Sequence, residues 1–139
     1  MNNTDITLFR QIGTISRKAS TEMNRLATNY QLDNNLFLYL IRITENEGIS
    51  QSALVKLMNI DKTTLSRAIK KLEKDKYIIK KPNPDNKKFN QLFVTEKTKN
   101  LYTKLSKLEQ QYAYQALSNL TLSEKKTLDS LLTKINISI

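Results

Sequence analysis

Asp61-Lys62-Thr63-Thr64-Leu65-Ser66-Arg67-Ala68-Ile69-Lys70-Lys71-Leu72-Glu73-Lys74-Asp75 reads as a helix with two opposed faces. At 3.6 residues per turn, Leu65, Ile69 and Leu72 fall on one side and Thr63, Ser66, Arg67 and Lys70 on the other. The first side can pack; the second can touch something polyanionic. Upstream, Ser50 is placed to cap a short helix through Met58, with Ala53, Leu54 and Leu57 as its expected inward set. Asn59, one of the few non-glycine residues that tolerate a left-handed backbone, then leads through Ile60 to Asp61, a second cap. A short helix, a tight turn and an amphipathic helix make a helix-turn-helix.

Downstream, Tyr77-Ile78-Ile79-Lys80-Lys81 and Phe89-Asn90-Gln91-Leu92-Phe93-Val94 are β-prone runs. Both prolines of the chain, Pro82 and Pro84, lie between them and forbid helix there. A two-stranded ribbon with a lysine-bearing tip, placed directly after a helix-turn-helix, is a wing. Residues 61–88 hold ten basic side chains against four acidic ones, a large share of the chain's +10 net charge. Such concentration points to an anionic partner, and a helix of this width with a basic ribbon beside it suits double-stranded DNA. The plainer readings are a solvated charged face and a solvated lysine-rich hairpin.

The ends of the chain are helical. From Thr4 to about Tyr30, Phe9, Ile12, Ala19, Met23, Leu26 and Tyr30 recur at a 3-4 spacing, with Ser16 as the one polar step. Such a stripe is either a core face or a helix-helix seam, within one chain or between two copies. Asp33 or Asn34 is expected to cap a helix through Leu36–Ile43, apolar nearly all round and so central, which stops before Gly48. Thr95 is expected to cap a long helix carrying Leu101, Leu105, Leu108, Tyr112 and Ala116. Ser118 or Thr121 should open a last helix with Leu128, Leu131, Leu132 and Ile135 inward. These stripes exceed what a winged core needs, and the simplest partner for the surplus is a second copy.

The 139 residues suffice for one domain with helical extensions. With no Cys and no His, a disulfide framework, thiolate metal site and redox switch are excluded, and a zinc site would need carboxylates alone. Only Gly13 and Gly48 are present, so no glycine-rich phosphate loop can be written. No signal peptide and no stretch of roughly 20 apolar residues is found, which leads to a cytoplasmic chain with no membrane partner. With no activated nucleophile or tuned base in view, no enzyme and no cofactor are expected.

The order of elements resembles the MarR family of bacterial winged helix-turn-helix regulators, and three stretches carry the likeness. Ile49–Leu57 looks like its first helix-turn-helix element. Asn59–Ile78 looks like its turn, recognition helix and exit, and Pro84–Lys88 with Val94–Lys97 like its wing tip and the following helix. The sequence departs from the family pattern in having Asn59 and Thr98 where Gly is common, and Lys87 and Lys88 where Arg is favoured. Arg suits a narrow minor groove better than Lys, so wing contacts should be weaker or less shape-selective. The resemblance implies a homodimer, a pseudo-palindromic operator and, in many members, a small-molecule pocket.

The expected fold is therefore mainly α with a small β-wing: a winged helix-turn-helix domain (33–95) flanked by N-terminal (1–32) and C-terminal (96–139) dimerisation helices. Phosphate contacts are expected from Gln51, Ser52, Lys62, Thr64, Lys71, Lys87 and Lys88. Base readout is expected from Thr63, Ser66, Arg67 and Lys70. Arg67, the one Arg in residues 61–88, is the first choice for a bidentate guanine contact, with a phosphate clamp as its alternative. A small organic effector, if bound, would lie among Phe9, Ile12, Phe37, Ile41, Leu101 and Tyr102, which otherwise are simply core. The function expected is a sequence-specific DNA-binding regulator, a repressor acting as a homodimer. The rival is a winged-helix module that binds protein or RNA.

Overall fold

In the computed structural model, which describes residues 3–139, the chain runs α1 (Asn3–Ala27), α2 (Leu36–Glu45), α3 (Gln51–Met58), α4 (Lys62–Lys74), β1 (Ile78–Pro82), β2 (Asn90–Val94), α5 (Glu96–Ala116) and α6 (Leu122–Ser138). A 3-10 turn, Thr28–Tyr30, follows α1. The fold class is the expected one, mainly helical with a two-stranded antiparallel wing. Met1 and Asn2 of the expected N-terminal segment lie outside the described residues. Two compact units divide the chain inside α5, one running to Leu108 and the other spanning Glu109–Ile139, beyond the 95/96 junction expected from sequence.

The core of the first unit is built from elements that the hydrophobic pattern marks. The apolar run of α2 buries Leu36, Phe37, Tyr39, Leu40, Ile41 and Ile43. Leu54 of α3, Leu65, Ile69 and Leu72 of α4, and Leu92 of β2 are wholly removed from solvent. Each such side chain contributes about 1.5–3 kcal/mol through burial. The inward set expected for α3 is corrected: Leu54 is buried, but Ala53 is exposed and Leu57 is 53% exposed. A helix of eight residues presents one narrow row to the core, and Leu54 fills it.

In the first unit, helix boundaries follow the capping chemistry in two places and depart from it in two others. The Ser50 hydroxyl accepts from the amide of Ala53 at 3.1 Å, and a carboxylate oxygen of Asp61 accepts from the amide of Thr64 at 3.0 Å, as read from sequence. At α2 the expected cap, Asp33 or Asn34, gives way to Asn35, which has no side-chain cap bond. The Asn35 side chain is instead drawn to α1, where Asn24 donates to it at 3.0 Å, while the Asn35 amide donates back to Asn24 at 2.8 Å. Thr95 precedes α5 as expected, but its hydroxyl donates to the Lys76 carbonyl at 2.7 Å.

With two glycines in the chain, helix ends take their left-handed residue from other types. Gln31, Asn59 and Lys76 have φ of 58°, 50° and 63°. In each case the next residue, Leu32, Ile60 or Tyr77, donates back to a carbonyl five positions earlier, and each is apolar or aromatic. This is the Schellman closure, with an apolar or aromatic residue at the position where the motif favours one.

The wing pairs Ile78 with Val94 through Pro82 with Asn90, and Ile78, Leu92 and Val94 point into the core. The segment before α3 fastens to β2: the Gly48 amide donates to the Leu92 carbonyl at 2.8 Å, and the Leu92 amide to the Ile49 carbonyl at 2.9 Å. Gly48 has φ +90°, a left-handed geometry that a side chain would strain. The wing tip is held by side-chain turns, Asn83 accepting from the Asp85 amide at 2.9 Å and Asn86 from the Lys88 amide at 3.2 Å.

In the second unit, Thr121 opens α6 with a complete capping box: its hydroxyl accepts from the Glu124 amide, and the Glu124 carboxylate from the Thr121 amide. The expected inward set of α6 is corrected. No residue of α6 is buried; Leu131 and Leu132 are exposed, and Leu128 and Ile135 are half-buried. These four residues recur at helical spacing, but the single chain buries none of them.

Candidate nucleic-acid interface

The α4 cap and core row fix which side chains look outward. Thr63, Arg67 and Lys70 are exposed on the side away from Leu65, Ile69 and Leu72, and Ser66 is half-buried on one flank. Two open clefts flank this ridge. One, of about 430 Å³, brings together Gln51, Ser52, Lys62 and Lys88 from the expected site with Ser50, Val55, Lys56, Phe89 and Asn90. The other, of about 620 Å³, lies along Thr64, Arg67, Ala68 and Lys71, and its far wall is Gln31, Asp33, Asn34, Asn35, Leu36 and Tyr39. Lys87 stands exposed at the wing tip and lines neither cleft. Sequence reading missed Lys56, Phe89 and Asn90 in this neighbourhood. Lys56 sits one turn after Ser52, a spacing that could have placed it.

Electrostatics sort these cations. Lys71 pairs with Asp75 at 3.2 Å and Lys80 with Glu73 at 3.8 Å; both pairs are partly exposed and hold little energy. Lys62, Arg67, Lys70, Lys87 and Lys88 form no ion pair with any described residue. Their charge therefore faces solvent, available to phosphates. No described residues form a cluster that could hold a metal, and no described helix is long and apolar enough to cross a membrane.

The residues proposed for an effector separate. Phe37 and Ile41 are core, Leu101 and Tyr102 are half-buried, and Phe9 and Ile12 are exposed. None of the six lines either cleft beside α4.

Behind the interface lies a junction that sequence reading did not find. Tyr77 is buried; its hydroxyl donates to the Tyr30 carbonyl at 2.8 Å. Its own carbonyl accepts from the Thr98 hydroxyl at 2.6 Å and the Thr95 amide at 3.1 Å. The Lys97 ammonium lies 3.9 Å from the centre of its ring. Burial pushes the Tyr77 phenol above its usual pKa, with the charge of Asp75 adding to the effect. Thr98, to which sequence reading gave no role, is wholly buried because its hydroxyl has this carbonyl to bind.

A capped helix-turn-helix, an outward ridge on its second helix and a basic two-stranded ribbon fastened to the segment before its first helix define a winged helix-turn-helix protein. The MarR family model matches residues 32–88. The chain is 39% identical to the uncharacterized HTH-type transcriptional regulator YybA of Bacillus subtilis over 132 residues, 95% of this chain and 88% of that one. Among solved structures, a MarR family transcriptional regulator from Listeria monocytogenes, crystallised with a 26mer DNA, superposes with a TM-score of 0.90 at 42% identity, covering 94% of this chain and 87% of that one. The transcriptional regulator SlyA gives 0.90 at 33% identity, covering 94% and 92%. The chain belongs to the MarR family of transcriptional regulators.

Proposed function

We propose that this chain binds double-stranded DNA sequence-specifically as a homodimer on a pseudo-palindromic operator and acts as a repressor. The observation that carries the reading is the α4 ridge of Thr63, Arg67 and Lys70, flanked by a cleft where Gln51, Ser52, Lys62 and Lys88 converge. In this reading the convergent group, with Thr64, Lys71 and Lys87, contacts phosphates and sets register, its lysines neutralising charge, while Thr63, Ser66, Arg67 and Lys70 meet base edges. The Listeria relative crystallised with DNA supports the same use of the fold.

The dimer is supported by apolar surface that a single chain leaves bare. In α1, Ile6, Leu8, Phe9 and Ile15 are exposed, and the second unit exposes Tyr114, Leu122, Leu131, Leu132 and Ile137. Faces of this kind on a soluble chain call for a partner, and a second copy supplies matching ones. Occupation of promoter DNA by such a dimer excludes other proteins from it, which is repression in its simplest form. Release by a small organic ligand completes the proposal, with Phe9, Ile12, Leu101 and Tyr102 the accessible members of the expected set.

Selection of bound sites from random duplex DNA tests the reading. Enrichment of an inverted repeat bound at least about 10³-fold tighter than random duplex is the expected result. Retention of RNA or protein with no enriched duplex would favour the rival module and reject the proposal.

A further inference from the structure

We propose that Tyr77 is a positioning residue for DNA recognition: it locks the α1 arm to the lobe carrying α4 and the wing, and so sets the spacing at which two recognition helices are presented. This inference rests on the dimeric DNA-binding reading above. The arm is thinly attached, with Met23 and Ala27 its buried residues and Asn24 tied to Asn35 at the start of α2. Its last turn, Thr28–Tyr30, ends in the left-handed Gln31. There the Tyr77 hydroxyl reaches across 47 positions of sequence to the Tyr30 carbonyl.

The same residue is fixed from every other side. Its amide closes the end of α4 on the Leu72 carbonyl at 2.9 Å, and β1 begins at the next residue. Thr95 and Thr98 hold its carbonyl at the start of α5, and Lys97 covers its ring while donating to the Asp75 carbonyl at 2.9 Å. One side chain and its peptide thus touch the arm, the recognition helix, the wing and α5. The ring is buried and the Tyr30 bond partly so, which weakens the competition of water for it relative to an open surface.

Leverage makes this bond matter. An arm of 25 residues is about 37 Å long at 1.5 Å per residue. A pivot of about 5° moves its far end by about 3 Å, close to the 3.4 Å rise of one base pair. Discrimination of half-site spacing to one base pair therefore needs a junction held within a few degrees.

Tyr77→Phe removes one hydroxyl and leaves the ring, the Lys97 contact and the Thr98 bond. The full chain has no cysteine, so Lys74→Cys gives one spin label per copy on exposed α4. Across the dimer the label distance is expected to be narrow in the otherwise wild-type chain and distinctly broader, or shifted by several ångström, with Tyr77→Phe. On duplexes carrying two selected half-sites with spacers of −1, 0 and +1 base pair, the wild type should lose roughly tenfold or more off its optimum and Tyr77→Phe less than about threefold. Thr44→Val, which removes a hydroxyl bonded within α2 to the Leu40 carbonyl, is the matched control and should leave both readouts unchanged. Unaltered distance and spacing profiles in Tyr77→Phe, or equal loosening by Thr44→Val, overturn the role of Tyr77 alone. A wild type that selects no paired half-sites overturns the reading beneath it.

Discussion

The lobe around α4 and the helix α6 both carry apolar residues at helical spacing, yet they treat them oppositely. In the lobe, Leu54, Leu65, Ile69, Leu72 and Leu92 are entirely covered, and polar residues alone look outward from α4. In α6 no residue is buried, and Leu131, Leu132 and Ile137 face solvent. The difference teaches that the lobe encloses a core within the single chain, while α6 leaves its large apolar side chains outside one. A core stripe and an interface stripe have the same period; only the structure tells which is already covered.

The sharpest way to break this comparison is truncation on both sides of it. Leu72→Ala should cost about 2–5 kcal/mol in denaturant unfolding, because it removes a fully enclosed side chain. Leu131→Ala should cost the dilute monomer far less, under about 1 kcal/mol, since the side chain is 49% exposed in the single chain. It should instead raise the dimer dissociation constant seen by sedimentation. Equal costs in the monomer would mean that α6 packs as the lobe does.

Within the lobe, Arg67→Ala should relax preference at one base pair per half-site by about 1–3 kcal/mol, read as the ratio of affinities for matched and mismatched duplexes. Equal losses on specific and random DNA would make Arg67 a phosphate clamp. Asp61→Ala removes the α4 cap and should lower stability by about 0.5–2 kcal/mol in thermal melts. Lys76→Gly should raise stability by up to about 1 kcal/mol, because Lys76 holds φ of 63° where glycine is at ease. Smallest in effect, Lys87→Ala should weaken binding to all sequences and reduce the salt slope by about one unit per copy, about two for the dimer. An unchanged slope would remove the wing tip from the contacts.

What was legible in sequence was local. Ser50, Asn59 and Asp61 announce their roles because a cap or a left-handed turn is decided within three or four residues, and the α4 faces follow from periodicity. What was not legible depends on distant partners. Asn35 rather than Asp33 or Asn34 begins α2 because Asn24 claims its side chain and amide. Thr98 matters because of a carbonyl 21 positions away, and Tyr77 because of one 47 positions away. Lys76 gave no warning, since lysine has no special tolerance for the left-handed region and the Schellman closure alone puts it there. The basic residues around α4 and the wing are legible as a charged set; their placement on a ridge and beside two clefts needs the fold.

Hydroxyl-radical footprinting of the full chain on a selected duplex tests the central claim most directly. The expected result is two protected patches on one face of the DNA, about one helical turn or roughly 34–36 Å apart, one for each recognition helix. A single patch, or protection without phase, would contradict a dimer that reads two half-sites.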